Sequence, residues 1–329
     1  MRKMIWLLLL TLLLTLACQG RGKKTPAAQA TLPFPSVEIP QMMEDPAERI
    51  QWAVTHFWDK YTDTAFFHPT DSAVLNGVAR EEMEKQVGLY TTLLQQTPRE
   101  MAVRGMERLF ARAEAFNKAH PEAGLMEGLG ELLRKYLYDP TSPVRDESLW
   151  LPYVEGLCAS PLTDPDMLAS YRWEQKVCRL NLPGTPAADF AFTDLGGRVR
   201  HLYDIQAEYT VLIFGNPDCA ACRELTAAFR GDEGLSSMIA SGKVKVVDIY
   251  IDEDIDAWKA GADNYPTEWI NGYDHLGRIS ADRAGAGSSG ADRIYAVRAI
   301  PSIYLLDADK TVLLKDTPED RLLNRLATL

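Results

Sequence analysis

The run 209-YTVLIFGNPDCAACRELTAAF-229 constrains the fold more than any other stretch of the chain. Six mostly apolar residues, Tyr209 to Phe214, read as a buried strand, and 215-GNPD-218 reads as a turn. The next residues open a helix whose first turn carries Cys219 and Cys222. A strand that feeds a helix through a tight turn belongs to a layered α/β arrangement. The rest of the C-terminal sequence agrees. Strands are expected at 243–251, 302–307 and 311–316, the last two joined by the turn 307-DADK-310. Helical runs are expected at about 220–240, 254–261 and 289–296, and a final helix follows the capping box 317-TPED-320. Together these predict a mixed central sheet flanked by helices. The glycine-rich piece 284-AGAGSSG-290 reads as a loop and lacks the strand-to-helix setting of a phosphate cradle.

Two cysteines at this spacing could form a metal clip, a structural bridge or a pair that exchanges electrons. Zinc takes four ligands, and no second Cys pair or His pair stands nearby. Covalent haem requires a histidine directly after the second cysteine, where Arg223 stands. The helix start decides the matter. Unpaired N–H groups and the positive end of the dipole favour thiolate at Cys219, while Cys222, one turn on, lies on the same face and deeper. Cys219 is therefore the expected attacking thiol and Cys222 the resolving one. Asp218 directly before Cys219 opposes thiolate formation, and Arg223 offsets part of that. The expected balance is a moderately activated thiol, which suits a reductant or isomerase better than a strong oxidant. No metal and no cofactor are required.

Of the 329 residues, 46% are hydrophobic and 25% charged, enough for two ordinary domains with real cores. A formal net charge of -11 sets nucleic acid aside as a partner. The opening, MRKMIWLLLLTLLLTLAC, is a short basic start followed by an apolar run too brief for a comfortable membrane span, hence an export signal. Residues 18–44, with four prolines and the basic cluster Arg21, Lys23 and Lys24, read as a flexible tether. From 45-DPAE-48 the apolar period becomes helical, and 45–182 reads as an all-α domain with helical runs near 80–96, 123–138, 146–157 and 164–180. A further helix starts at 97-TPRE-100. The aromatic stripe of the 45–182 domain, with Phe57, Trp58 and Tyr61, reads as core. Cys158 and Cys178 have two readings, a structural disulfide across a helical hairpin or two buried free thiols.

The end of the apolar run, Leu-Ala-Cys at 16–18, resembles the lipobox of bacterial lipoproteins, although Thr15 stands where that pattern prefers leucine. The resemblance implies a signal peptide over 1–17 and a lipidated Cys18 inserted in a bilayer; the alternative is an ordinary secretory signal. Gln19 after Cys18 favours the outer membrane within a periplasm-facing envelope location. Residues 183–329 resemble the thioredoxin-like domain of membrane-tethered envelope thiol-disulfide oxidoreductases, through 183-PGTPAADFAFTDLGGRVRHLYDI-205, 219-CAAC-222 and 299-AIPSIYLLD-307. This implies a cis Pro301, with the Ile300 backbone facing Cys219 to hold a substrate strand; an edge-strand start is the alternative for Pro301. The pattern departs in three places. Asp218 replaces the usual tryptophan, Ile213 occupies the position of thioredoxin's buried acid, so that proton acceptor is missing, and 262–291 is a long connection in which 268-EWINGYD-274 is a candidate cap over the site. The whole chain resembles exported lipoproteins that join a helical domain of unknown function to a thioredoxin-like one.

The expectation is an envelope thiol-disulfide oxidoreductase that reduces or isomerises disulfides of other exported proteins and is recharged by a membrane-side thiol reductant. The alternative is a non-catalytic binding or scaffold lipoprotein whose cysteines stay oxidised.

Overall fold

Asp45 opens the helical region as its sequence predicts. Its carboxylate accepts the Ala47 N–H at 2.8 Å, Pro46 takes the first helical position, and helix α1 (Pro46–His56) follows. The computed structural model describes residues 31–274, 279 and 294–329. The export signal, Cys18, the first part of the tether and the loop read over 284–290 lie outside the described residues. So does most of the run read as helix over 289–296, whose residues 294–296 are not helical.

Five more helices complete this region: α2 (Arg80–Gln95), α3 (Arg99–Ala119), α4 (Leu125–Leu137), α5 (Glu147–Ala159) and α6 (Leu168–Cys178). Helix α4 buries Leu125, Met126, Leu129, Leu133 and Leu137, positions that share one apolar face turned to the core. Phe57, Trp58 and Tyr90 pack ring against ring, with centroids 5.1 to 5.4 Å apart, so this part of the aromatic stripe is core. A two-residue hairpin, β1 (Val74–Leu75) and β2 (Val78–Ala79), turns on Asn76 and Gly77, both at positive φ. The tether is shorter than 18–44. Phe34 packs among Phe57, Trp58 and Tyr61, and Trp52 donates to the Glu38 carbonyl at 3.0 Å, because an aromatic residue beside other rings gains more by burial than by solvation. Cys158 and Cys178 are free thiols, so the disulfide reading does not hold here. Both belong to the core of the helical region, Cys158 half-buried at its edge and Cys178 fully buried in it near Glu147 and Lys315.

The C-terminal region is a seven-stranded mixed sheet of β3 (Ala191–Asp194), β4 (Val199–His201), β5 (Tyr209–Gly215), β6 (Val244–Tyr250), β7 (Ile270–Tyr273), β8 (Ser302–Leu306) and β9 (Val312–Leu314). Their order is β4-β3-β7-β6-β5-β8-β9. Only β5–β6 and β6–β7 pair in parallel. The inner strand β5 is buried on both faces, which is why it reads as a continuous apolar run. Val211 and Ile213 pack under helices α7 (Ala220–Gly231), α8 (Glu233–Ala240) and α10 (Glu319–Leu326) through Leu225, Phe229, Leu235 and Leu322. Leu212 and Phe214 point to the other face, against Phe190, Phe192 and Tyr295. The helical run read over 220–240 is two helices because Asp232 leaves the helical conformation and caps α8, accepting from Leu235 N–H at 2.7 Å. A short helix, α9 (Ile255–Ala260), buries Trp258.

Strand β7 corrects one expectation. Residues 268–274 do not cap the site; Ile270–Tyr273 is a strand between β3 and β6, and Trp269 belongs to the core. Gly272 is required there by close approach, since a Cβ on it would stand 2.3 Å from the Phe192 ring and 3.0 Å from the Thr193 carbonyl. A Gly272→Ala protein is expected to lose about 1–3 kcal/mol of stability by overpacking, read as a lower urea midpoint. An unchanged midpoint would show that β3 and β7 can separate without penalty.

Candidate active site

The site lies where β5 ends. Because β5 and β8 pair antiparallel with Phe214 opposite Ser302, the residues just before β8 meet those just after β5. This register brings Ile300 and Pro301 to the start of α7, about 80 residues away in sequence. The turn between β5 and α7 is held by Asn216, whose side chain accepts from Asp218 N–H at 2.8 Å and whose carbonyl accepts from Cys219 N–H at 3.1 Å. Cys219 is then the N-cap of α7. Its sulfur accepts the Cys222 N–H at 3.4 Å, and its thiol lies 4.0 Å from the Ile300 carbonyl oxygen. The Ile300–Pro301 peptide bond is cis. Cys219 is half-exposed, Cys222 is buried, and both are free thiols.

Asp218 points to solvent from the turn, and Arg223 donates to the Pro217 carbonyl at 3.2 Å. The guanidinium therefore braces the turn. Beside the pair runs a cleft of about 350 Å³ whose walls include Pro217, Cys222, Arg223, Thr226, Arg230 and Tyr265.

Beneath Cys222 lies a buried acid that the sequence reading missed. Ile213 occupies the strand position expected for such an acid, but β6 pairs in parallel with β5 and sets Asp248 directly opposite Ile213. Paired residues on neighbouring strands share a face, so the carboxyl comes up under α7. Its oxygens and the Cys222 sulfur converge on Gly215, where a Cβ would meet all three at 3.5 to 3.6 Å. Burial raises the Asp248 carboxyl to about 7. Burial also pushes the Cys222 thiol well above the usual range, opposed by a hydrogen bond from the Asn216 backbone and reinforced by Cys219 and Asp248. One oxygen of Asp248, the Asn271 side-chain oxygen opposite it on β7 and the Tyr265 hydroxyl have no hydrogen-bond partner among the described residues. The signal was present in 243-KVKVVDIYI-251, a lone carboxylate inside a run of branched apolar residues. An acid is placed in a buried strand only where something offsets its desolvation or uses its proton.

No curated protein matches this sequence. Residues 17–181 match the family model described as a domain of unknown function, DUF5106. Among solved structures, a thioredoxin-like protein from Bacteroides caccae is 30% identical, with 90% of this chain and 98% of that one covered and a TM-score of 0.74. The C-terminal domain of an uncharacterized protein from Bacteroides fragilis is 38% identical over 45% of this chain and 98% of its own, with a TM-score of 0.41. The first of these likenesses spans the helical region as well as the sheet with its cysteine pair, and just over half of the 329 residues fall within the family model. The chain thus belongs to the family of thioredoxin-like proteins that carry this helical DUF5106 domain at the N-terminal side.

Proposed function

We propose that the protein is an exported, lipid-anchored thiol-disulfide oxidoreductase that reduces or isomerises disulfides of other envelope proteins. The observation that carries this reading is the approach of the half-exposed Cys219 thiol to the Ile300 carbonyl beside a cis proline, with Cys222 buried one turn further into the helix. A substrate strand laid along Ile300 would present its disulfide to Cys219 through main-chain hydrogen bonds. Cys219 thiolate then attacks one substrate sulfur, the substrate disulfide breaks, and the leaving thiolate takes up a proton. Asp248, which titrates near neutral pH, accepts the Cys222 proton. Cys222 thiolate attacks the Cys219 sulfur, the second substrate thiolate leaves, and the Cys219–Cys222 disulfide holds the two electrons' worth of oxidation taken from the substrate. A membrane-side dithiol reductant returns the pair to its starting state. The anchor is Cys18 on an envelope membrane, with Gln19 favouring the outer one, and the limits that go with this reading are 1–17 for the signal, a tether from Cys18 that stops short of the packed Phe34, 45–182 and 183–329.

The test is the reduction potential of the pair, obtained by equilibrating the protein in glutathione or dithiothreitol buffers and trapping thiols for mass spectrometry. A value between about -180 and -280 mV is expected of a working oxidoreductase. A pair that resists reduction below about -300 mV would sink the proposal and favour a scaffold with a structural bridge.

A further inference from the structure

The helical region is bound to the sheet through buried charges, and these charges converge on one loop. Glu147, the first residue of α5, is 5% exposed. One carboxylate oxygen accepts from Arg298 Nη2 at 2.5 Å and Nε at 3.1 Å. The other stands 2.7 Å from Lys315 Nζ at ion-pair distance but off the hydrogen-bonding direction. Arg298 also lies over the Tyr138 ring, 3.8 Å from its centroid, and Lys315 donates to the carbonyls of Val177 and Cys178, both at 3.0 Å. Arg298 is two residues before Ile300. The other end of the loop is held as well: Ser302, directly after Pro301, donates to Asp316 at 2.7 Å, and Asp316 pairs at 3.5 Å with Arg145. Arg145 further donates to the Thr317 carbonyl, and Arg321 donates to Asp146 at 2.7 Å. Residues 145–147 of the helical region thus reach both flanks of the Ile300–Pro301 segment.

Burial raises the Glu147 carboxyl, but Lys315 and Arg298 outweigh that and hold it below the ordinary carboxylate range, so it stays ionised. Such a cluster is weak evidence for stability, because apolar residues of similar volume often stabilise as much. What it supplies is a fixed geometry for the groups it joins.

We propose that Glu147 is a positioning residue for protein substrates: by clamping Arg298 it fixes the Ile300 carbonyl, so that the helical region sets how a disulfide is presented to Cys219. The inference rests on the reading that this loop takes a substrate strand. No residue of 145–147 needs to meet the thiols, so the effect falls on substrate docking and spares thiol chemistry.

The test compares the full-length protein with Glu147→Gln. Should that variant fail to fold because two buried cations lose their carboxylate, Glu147→Gln with Arg298→Met removes one charge of each sign. Expected is a rise of about tenfold in KM for insulin disulfides, within the range of couplings carried through packed networks. kcat and the rate of Cys219 alkylation by iodoacetamide should change less than about twofold. Hydrogen exchange should quicken at Val297 and Thr317, whose amides donate to the Ile279 and Ile303 carbonyls on the two flanks of the loop, while residues 209–231 keep their protection. An unchanged KM, or a loss of alkylation rate and of protection throughout the sheet, would overturn the proposal. If the unmodified protein leaves insulin untouched, the oxidoreductase reading fails by itself. The exchange measurement then decides the positioning claim: local quickening upholds it, and unchanged protection at Val297 and Thr317 refutes it.

Discussion

A Cys219→Ser protein is expected to reduce protein disulfides no faster than the buffer, whereas a Cys222→Ser protein keeps the first step and becomes trapped after it. The asymmetry follows from the two environments. Cys219 is half-exposed at the N-terminus of α7, beside the Ile300 carbonyl, so it can meet a substrate sulfur. Cys222 is buried, and burial pushes its thiol up, so it reacts only with a sulfur already attached to Cys219. Removing Cys222 leaves the mixed disulfide without an internal nucleophile. Exported proteins should then accumulate on Cys222→Ser as complexes that a reducing agent dissolves, visible on non-reducing gels, and on Cys219→Ser they should not. Iodoacetamide should label Cys219 well before Cys222 in the parent protein. Trapping on the Cys219→Ser protein instead would reverse the two roles and remove the basis for the substrate path along Ile300.

The part of the site that sequence reveals is the part built from neighbours in the chain. Strand, turn and cysteine pair lie within 21 consecutive residues, and each local preference points the same way. The apolar period of the helical region and the cap at Asp45 are legible for the same reason. The features that escaped depend on pairing at a distance. Asp248 reaches the site only through the parallel register of β6 on β5, and a parallel register cannot be read from either strand alone. Strand β7 is four residues long, contains a glycine and carries an asparagine, so nothing in its composition separates it from a connection. Phe34 stands among prolines that suggest an open tether, and only the rings that follow α1, Phe57, Trp58 and Tyr61, explain its burial. The contact from Glu147 to Arg298 crosses 151 residues. Charged residues at such separations look like surface residues until the fold buries them.

Asp248→Asn is expected to make the protein more stable and less active at the same pH. The sign follows from linkage. The folded-state carboxyl is raised from 3.8 to about 7 by burial, so between those values the folded state holds a proton that the unfolded state has released. Stability of the parent protein therefore falls as pH rises through this window, by up to about 4 kcal/mol at roughly 1.4 kcal/mol per unit. Asparagine carries no such charge, so the advantage of the variant should be small near pH 4, grow toward pH 7 and stay level above it, as read from urea midpoints in matched buffers. Activity should move the other way. Resolution of the mixed disulfide needs the Cys222 proton removed, and Asp248 is the carboxylate that meets the Cys222 sulfur across Gly215. Losing the carboxylate should slow release of the second substrate thiol by about a hundredfold, the lower range for a general base. The inflection near pH 7 in the release rate should vanish, while alkylation of Cys219 continues at its former rate. Equal stability of the two proteins at pH 8 would mean that Asp248 is not held ionised against a desolvation penalty. An unchanged pH profile of release would mean that the Cys222 proton leaves by another route, and the oxygens of Asp248, Asn271 and Tyr265 that lack a partner among the described residues would then need a different explanation.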